Sequence, residues 1–513
     1  MDAIRPVDPE HLDVVIVGAG LSGIGCAVHL SKRCPDHRYA ILEARERMGG
    51  TWDLFRYPGI RSDSDMYTLG YAFRPWTDGK AIADGPSILK YIEDTAREFS
   101  VDEKIRYGLR LERASWSTED AKWTLFLREA STGEVRRMTC RFLLACTGYY
   151  DYDQAHAPQF EGQGDFAGRV VHPQFWTEDI DYAGKKVVVI GSGATAMTLV
   201  PSLAEQAEHV TMLQRSPTYV VAAPDTDAVA DFLRRHLSEK TAYDITRWKN
   251  VLRTIALYKA SRRFPKAMKK LFIYGVKKAL GEDYDVEKHF TPSYNPWDQR
   301  LCLVPNGDLF EAIKAGTASV ATDHIERFTE RGVRLQSGEE LEADLIVTAT
   351  GLKVRLFGGA ELSVDGRAIT PNDTMAYRAM MVSDVPNLAF AVGYTNASWT
   401  LKIDLVADYV ARLLDHMDAN GYDICVPERD PDMEQAPLLD FDANYIKRAL
   451  GELPQAGKKH PWRIFENYLL DRVTLNNARF DDGIMKFSKR KVRAVVRPQQ
   501  TPAASTTQRQ TVA

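Results

Sequence analysis

An α/β fold with two doubly wound domains is predicted, because two short runs of β-branched residues are each followed by a glycine string and a helical stretch. The first run is LDVVIV at 12–17, with GAGLSG after it, and the second is KVVVI at 186–190, with GSGATA after it. A helical stretch rich in lysine and arginine follows the second glycine string, at 226–289. The sequence therefore predicts two Rossmann-like domains, with a helical insert in the second.

The first glycine string has the G-x-G-x-x-G spacing, at Gly18, Gly20 and Gly23. Glycines there permit a tight turn, close approach of the backbone to a pyrophosphate, and close contact of helix and strand. The helix predicted over 21–33 begins beside Ser22, and its N-terminus offers N–H groups to phosphates. The next strand, 39–42, ends at Glu43, whose carboxylate can accept hydrogen bonds from ribose hydroxyls. Together these features predict a dinucleotide site.

The residues after the second strand indicate which dinucleotide the first domain binds. Gly49, Gly50, Thr51 and Trp52 stand where a flavin-binding chain passes along the ribityl phosphate, an extension that an NAD-only dehydrogenase does not need. We therefore expect FAD in the first domain, with Thr51, Trp52 and the main chain near Leu111 as further contacts.

The second string supplies the expected contacts of a second dinucleotide, at Gly191, Ser192, Gly193, Ala194, Thr195 and Ala196. A helix is predicted to continue to Ala207, and the following strand, 210–213, leads to Arg215 and Ser216 rather than to an acid. A carboxylate would repel a 2′-phosphate, whereas a guanidinium binds it in a bidentate manner. This pattern predicts NADPH, with Arg215 as phosphate ligand and Ser216 assisting; the alternative is a solvated arginine at a strand end.

Composition excludes several other classes of protein. The formal net charge of −4 gives no reason to expect a nucleic acid partner, and the six cysteines show no C-x-x-C pair and no spacing typical of a metal site. The N-terminal residues lack the apolar stretch of a secretory signal, and no apolar run has the length of a membrane span. We expect a cytoplasmic enzyme, with its oligomeric state left open.

Strand and glycine positions suggest where the chain crosses between domains. We predict a return strand at 141–146, another at 345–348, a strand at 387–392 and a helix at 399–414. The predicted division is an FAD domain (1–150 and 346–497), a linker (151–184), an NADPH domain (185–225 and 290–345), a helical insert (226–289) and a disordered tail (498–513).

The insert permits two interpretations. Residues 231–280 contain 14 lysines and arginines against 3 acids, with aromatic residues interleaved. One interpretation is a surface for membranes or for steering anionic NADPH. The other, which we favour, is a helical cap whose apolar stripe packs on the NADPH domain while the lysines face solvent.

Two motifs resemble fingerprints of a known family, the type I Baeyer–Villiger monooxygenases. F-x-G-x-x-x-H-x-x-x-W is matched at Phe166, Gly168, His172 and Trp176. G-x-W-x-x-x-x-[FY]-P-G-x-x-x-D is matched at Gly50, Trp52, Tyr57, Pro58, Gly59 and Asp63. The likeness covers roughly 11–490, and the segments 55–76 and 294–310 are similar to the actinobacterial, ethionamide-activating FAD-containing monooxygenases.

The resemblance implies an enzyme that uses FAD, NADPH and O2 to insert one oxygen atom into ketones through a C4a-peroxyflavin, giving esters or lactones. It places a fixed cation beside the flavin at Arg300, within DQRLCLVP, and Asp63 as the partner that positions it. The alternative for both is an ordinary surface ion pair. His172 is expected to fix the hinge between the domains rather than to act as a base.

Three competing functions remain distinguishable. A sulfur or nitrogen oxygenase, acting on thioethers or thioamides, could use the same active site. A disulfide reductase needs a redox-active cysteine pair near the flavin, and the cysteine spacing offers none. An NADPH-sensing protein without catalysis is the third.

Overall fold

The computed structural model describes residues 9–299, 301–438 and 444–490 of the 513-residue chain. It contains a mixed sheet of 11 strands built around five parallel ones, a second sheet of five parallel strands, and helices packed on both; the predicted α/β class is confirmed. The predicted disordered tail, 498–513, lies outside the described residues.

The first sheet has five parallel strands in the order Ile105–Arg106, Tyr39–Leu42, His11–Val17, Val135–Ala145 and Leu388–Phe390. Val14 and Ile16 face a core shared with the helices Leu21–Arg33, Gly85–Glu98 and Trp399–Asn420. Val15 and Val17 face the other way, into a core with Trp116 and Trp123. Burial on both faces explains why this strand is apolar throughout instead of alternating.

A three-stranded antiparallel layer covers that second face, and it corrects one predicted boundary. Its strands are Leu109–Ser117, Lys122–Glu129 and the first half of Val135–Ala145. The return strand predicted at 141–146 is therefore longer, because residues 135–140 pair with Lys122–Glu129 while residues 139–145 pair with His11–Val17.

The second sheet is also parallel, in the order Ala318–Thr322, His209–Gln214, Lys186–Ile190, Leu345–Thr348 and Arg169–Val171. The segment 151–184 thus supplies an edge strand as well as a connection. The helix after the second glycine string, Ala194–Leu203, ends four residues before the predicted Ala207. It ends there because the backbone of Gln206 and Glu208 hydrogen-bonds to Gly184 and Lys185, which leads the chain toward its next strand.

The insert consists of four helices: Ala228–His236, Glu239–Arg263, Pro265–Leu280 and Val286–Phe290. The long helix Glu239–Arg263 packs on the first domain, where Arg247 donates to the carbonyl oxygens of Tyr67, Thr68 and Gly70 at 2.7–3.2 Å. The favoured expectation, a helical cap whose apolar stripe packs on the NADPH domain, is wrong for this helix, because its buried side packs on the first domain. Pro265–Leu280 does pack on the second domain, through Phe272 against Tyr219.

Two crossings of the chain join the domains. The strands Tyr150–Ala155 and Leu352–Val354 pair antiparallel, so both crossings lie side by side. Further on, the helix predicted at 399–414 extends to Asn420 and ends at Gly421, which has a left-handed φ of +62°.

Shorter elements complete the described structure. The remaining helical segments are Thr51–Leu54, Met66–Leu69, Asp102–Lys104, Gln163–Asp165, Pro173–Phe175, Asp308–Lys314, Leu356–Gly359, Pro371–Asp373, Asn444–Ala449, Leu450–Glu452 and Tyr468–Asn476. The remaining strands are Val220–Ala223, Cys302–Pro305, Ile325–Thr329, Gly332–Leu335, Glu340–Glu342, Glu361–Val364, Arg367–Ile369, Ala376–Tyr377, Met381–Val382, Ile424–Pro427, Gln435–Ala436, Ala456–Gly457 and Met485–Ser488. None of the helices described here is long and apolar enough to cross a membrane.

Candidate active site

A cavity of about 510 Å³ runs between the two domains. Its walls include residues that directly follow strands of the first sheet, such as Gly18, Glu43 and Cys146, and residues of the second glycine loop. The carboxyl ends of parallel strands are where doubly wound domains bind ligands, and the volume lies in the usual range for ligand sites. This cavity is the candidate active site.

The first glycine loop forms one end of the cavity. Gly18 has a φ of +105°, a conformation that L side chains rarely adopt. A Cβ atom at Gly23 would lie 1.8 Å from the carbonyl oxygen of Gly18, so helix and loop are in direct backbone contact. Gly20 and Ser22, at the N-terminus of the helix Leu21–Arg33, line the cavity, whereas Gly23 lies behind them. The loop therefore has the close backbone packing that the glycine spacing predicts.

Glu43 lies next to this loop and is buried. Its Oε2 accepts the backbone N–H of Ala19 at 2.9 Å, and its Oε1 accepts that of Arg45 at 2.9 Å. Burial raises the pKa of Glu43, and the two backbone N–H groups oppose the rise. The carboxylate is thus fixed at the cavity wall with lone pairs left to accept hydroxyl groups.

The middle of the cavity is lined by Thr51, Trp52 and Leu111, as expected for contacts along an extended ligand. Tyr152 lines the same cavity; burial raises its pKa to about 12, while a hydrogen bond with the Thr51 side chain opposes the rise. Sequence patterns did not indicate Tyr152, because its place beside Thr51 depends on the crossing strand Tyr150–Ala155.

Aromatic residues line the cavity beside the first glycine loop. The indole Nε1 of Trp399 donates to the hydroxyl of Ser22 at 2.8 Å, and its ring stacks on Tyr149 at 5.3 Å between centroids. Trp399 is the first residue of the helix Trp399–Asn420, so the N-terminus of that helix lies at the cavity. Tyr149 follows the Thr-Gly strand exit at 147–148, a signal that could have identified it.

A smaller cavity of about 20 Å³ adjoins the large one, and Ala397 lines both. Its apolar walls come from the insert and the C-terminal region, with Val251, Ile255, Leu401 and Tyr468 among them.

Asp63 lies in the wall of the cavity. Nearby, burial raises the pKa of Tyr57 to about 12; a hydrogen bond with the Thr195 side chain opposes this, and the charge of Asp63 adds to it. Arg300, the predicted catalytic cation, lies outside the described residues. Leu303, three residues further along the chain, lines the cavity.

The second glycine loop borders the same cavity through Gly193, Ala194 and Thr195. Behind it, a Cβ atom at Gly191 would lie 2.4 Å from the carbonyl oxygen of Ala349, and Ala196 is fully buried. Ser192 Oγ donates to the carbonyl oxygen of Ser216 at 3.3 Å, which ties the loop to the end of the next strand. Arg215 and Ser216 are exposed directly after the strand His209–Gln214.

The fingerprint segment at 166–176 holds the crossings together. Gln174 Nε2 donates to the carbonyl oxygens of Asp151 and Tyr152 at 2.8 and 3.1 Å. His172 Nε2–H donates to the carbonyl oxygen of Gly351 at 3.2 Å, and its Nδ1 accepts the N–H of Gln174 at 3.1 Å. Burial lowers the pKa of His172. Both ring nitrogens are occupied by the backbone, which agrees with a positioning role.

One cysteine contact was missed by the spacing argument. Cys26 and Cys146 lie close together beside the first glycine loop, both buried, although they are far apart in sequence. Burial raises the pKa of the Cys146 thiol well above its ordinary value. A neutral, buried thiol is a poor nucleophile, so this pair lacks the environment of a redox-active dithiol.

Two glycine loops on one cavity, each beside its own parallel sheet, define the class of two-domain dinucleotide oxidoreductases. A family model described as pyridine nucleotide-disulphide oxidoreductase matches residues 12–243. The FAD-containing monooxygenase EthA of Mycobacterium tuberculosis (strain H37Rv) is 56% identical over 94% of this chain and 98% of its own. The probable FAD-binding monooxygenase AlmA of Acinetobacter baylyi is 48% identical over 94% of this chain and 97% of its own.

Solved structures agree on the fold. An oxidised steroid monooxygenase bound to NADP has a TM-score of 0.74 at 22% identity, covering 94% of this chain and 100% of that one. An open form of cyclohexanone monooxygenase has a TM-score of 0.73 at 19% identity, with the same coverage. The chain belongs to the family of FAD-containing monooxygenases. The predicted class of enzyme, a flavin-dependent monooxygenase, is thereby confirmed.

Proposed function

We propose that this protein is an NADPH-consuming, FAD-dependent monooxygenase that inserts one oxygen atom of O2 into ketones, giving esters or lactones. The observation that carries the proposal is the single cavity that reaches from Glu43 and the first glycine loop to Gly193–Thr195 of the second. A hydride donor held by the second loop and a flavin held by the first can meet in such a cavity. When bound, FAD accepts that hydride and activates O2.

The residues of the first domain fit FAD. The glycine loop brings its backbone and the N-terminus of the helix Leu21–Arg33 to the position for a pyrophosphate. Glu43 accepts ribose hydroxyls, since its carboxylate is buried, fixed and at the wall. The N-terminus of Trp399–Asn420, which lies at the cavity, favours negative charge on the isoalloxazine ring.

Arg300 and Asp63 supply the charge for oxygen transfer in this proposal. A guanidinium beside the reacting atoms stabilises the negative charge that develops on the ketone oxygen, and a carboxylate partner holds the guanidinium in place. The position of Asp63 in the cavity wall and of Leu303 further along the same wall supports this assignment.

Replacing Arg215 with alanine is expected to lower kcat/KM for NADPH by about 10- to 100-fold, because charge-assisted hydrogen bonds to the 2′-phosphate contribute about 1.5–3 kcal/mol. The value for NADH, which lacks this phosphate, should change little. Steady-state rates with both coenzymes give the ratio of kcat/KM for NADPH to kcat/KM for NADH. Arg331→Ala, which removes another exposed arginine of the same domain, is the matched control. An unchanged preference in Arg215→Ala would mean that Arg215 is only a solvated arginine.

Oxygen transfer to sulfur or nitrogen is the alternative activity of the same cavity, because thioethers and thioamides need the same oxygen donor and no further protein group. Mass analysis of products from a panel of ketones and sulfides, with NADPH under ¹⁸O2, decides between them. We expect ketone products that carry one labelled oxygen atom, and none without NADPH. Labelled sulfoxides alone would establish the alternative. NADPH oxidation without any oxygenated product would contradict both.

A further inference from the structure

Exposed apolar side chains concentrate on one region of the molecule. Among the described residues, 15 large hydrophobic side chains are substantially exposed, and nine of these belong to the insert. Two more, Leu470 and Val473, belong to the helix Tyr468–Asn476. Scattered exposed hydrophobic residues are normal in proteins, whereas a concentration of them marks an interaction surface.

The long helix of the insert is apolar on two sides. Its inner side carries Tyr243 and Val251, which are buried at 2% exposure. Its outer side carries Ile245, Trp248 and Leu252, with exposures of 44%, 36% and 52%. Their spacing of three and four residues puts the outer three on one helical face. Packing on the first domain therefore explains only the inner side.

The helix Tyr468–Asn476 extends this surface. The rings of Trp248 and Tyr468 are in contact at 6.1 Å between centroids, and Arg472 lies over the Trp248 ring at 4.6 Å. Leu470 and Val473 are exposed on the same helix, at 48% and 62%. We call the surface formed by Ile245, Trp248, Leu252, Leu470 and Val473 the outer face.

Basic residues dominate the insert, which carries three of the five residues of the outer face. Residues 231–280 contain 14 lysines and arginines and only three acids. Lys259 and Arg263 continue the exposed side of the long helix, and Lys266, Lys270 and Lys277 are exposed on the next helix. Within the ranges that the structure describes, ion pairs engage other basic residues of the insert, such as Lys249 with Asp227, but none of these five.

We propose that the outer face docks the protein on an anionic lipid bilayer. Exposed Trp and Leu side chains bordered by lysine and arginine are the pattern of helices that lie in a membrane interface. Each basic residue near an anionic surface strengthens binding electrostatically, and the apolar side chains add the free energy of their burial. A second copy of this chain fits less well, because a symmetric contact would bring the two positively charged borders together.

Co-sedimentation of the FAD-loaded full chain with vesicles tests the proposal. We expect binding to phosphatidylcholine vesicles that contain phosphatidylglycerol, little binding to phosphatidylcholine alone, and release at about 1 M salt, where charges are screened within about 3 Å. The double variant Trp248→Ser and Leu252→Ser should partition at least about tenfold more weakly, since two apolar side chains no longer enter the interface. Lys259→Glu with Arg263→Glu should weaken binding by a similar factor.

Matched controls come from elsewhere on the surface. Tyr107→Ser with Val135→Ser removes two exposed hydrophobic residues of the first domain, and Lys104→Glu with Arg331→Glu reverses two exposed charges. Both controls should bind like the unmodified protein, and FAD absorbance verifies that every variant is folded. Equal binding of the Trp248/Leu252 variant, or equal binding to both vesicle types, would overturn the proposal. The proposal would also be overturned if the variants changed the oligomeric state of the protein in solution and left vesicle binding unchanged. That result would identify the outer face as a contact between copies.

Discussion

Arg300→Ala is expected to abolish ester formation from a ketone while reduction of bound FAD by NADPH survives in part. Hydride transfer requires only that the two dinucleotides meet, whereas oxygen transfer develops negative charge that needs a fixed cation. Loss of one preorganised charge-stabilising group costs about 10²- to 10³-fold in kcat. Stopped-flow absorbance measures flavin reduction, and mass analysis of the product measures oxygen transfer.

Two further variants make this result specific. Arg300→Lys keeps the charge and loses the planar fork, so partial recovery of ester formation would assign the effect to charge, and its absence would assign it to geometry. Arg331→Ala, on the exposed surface of the second domain, should leave both steps unchanged. Ester formation by Arg300→Ala near the original rate would remove Arg300 from the catalytic set.

Gly23→Ala is expected to weaken FAD binding by about two orders of magnitude and to lower the melting temperature. The added Cβ would lie 1.8 Å from the carbonyl oxygen of Gly18, and neither partner is a flexible side chain. Helix and loop must therefore separate, which displaces the backbone of the proposed pyrophosphate site. Overpacking of this kind costs about 3 kcal/mol, equivalent to about 100-fold in affinity. Titration of the apoprotein with FAD measures the change.

The chain contains a matched glycine for comparison. Gly275 also lies in a helix, Pro265–Leu280, but a Cβ atom there meets nothing within 4 Å. Gly275→Ala should therefore stabilise the protein by about 0.5–1 kcal/mol, since alanine loses less backbone entropy in a helix, and FAD affinity should not change. If both variants bound FAD equally well, close packing at Gly23 would not be required for FAD binding.

The sequence predicted best the elements whose own residues carry the signal. Lys186–Ile190 and Leu345–Thr348 were predicted with their observed bounds, because each is a short apolar run bounded by polar or glycine residues and buried on both faces. Thr51, Trp52 and Leu111 line the cavity, as expected from the path of the chain past it. The predicted domain boundaries and the roles of the site residues remain predictions.

Features that depend on distant partners could not be predicted. The first half of Val135–Ala145 begins with exposed, charged residues, and only its pairing with Lys122–Glu129 makes it a strand. Arg247 stands in a strongly basic stretch that suggested solvated side chains, but it is buried against carbonyl groups at 67–70. The contact of Cys26 with Cys146 joins residues that no spacing rule connects.

The paired crossings have a consequence for motion. Tyr150–Ala155 and Leu352–Val354 pair with each other as antiparallel strands. The segment 166–176 is bonded to both crossings, through Gln174 to the first and through His172 to the start of the second. The two domains are therefore joined by one two-stranded ribbon and not by two independent connections. A ribbon bends readily across its flat side and resists shear along its length. We therefore expect the second domain to rotate relative to the first mainly by bending of this ribbon, about one axis.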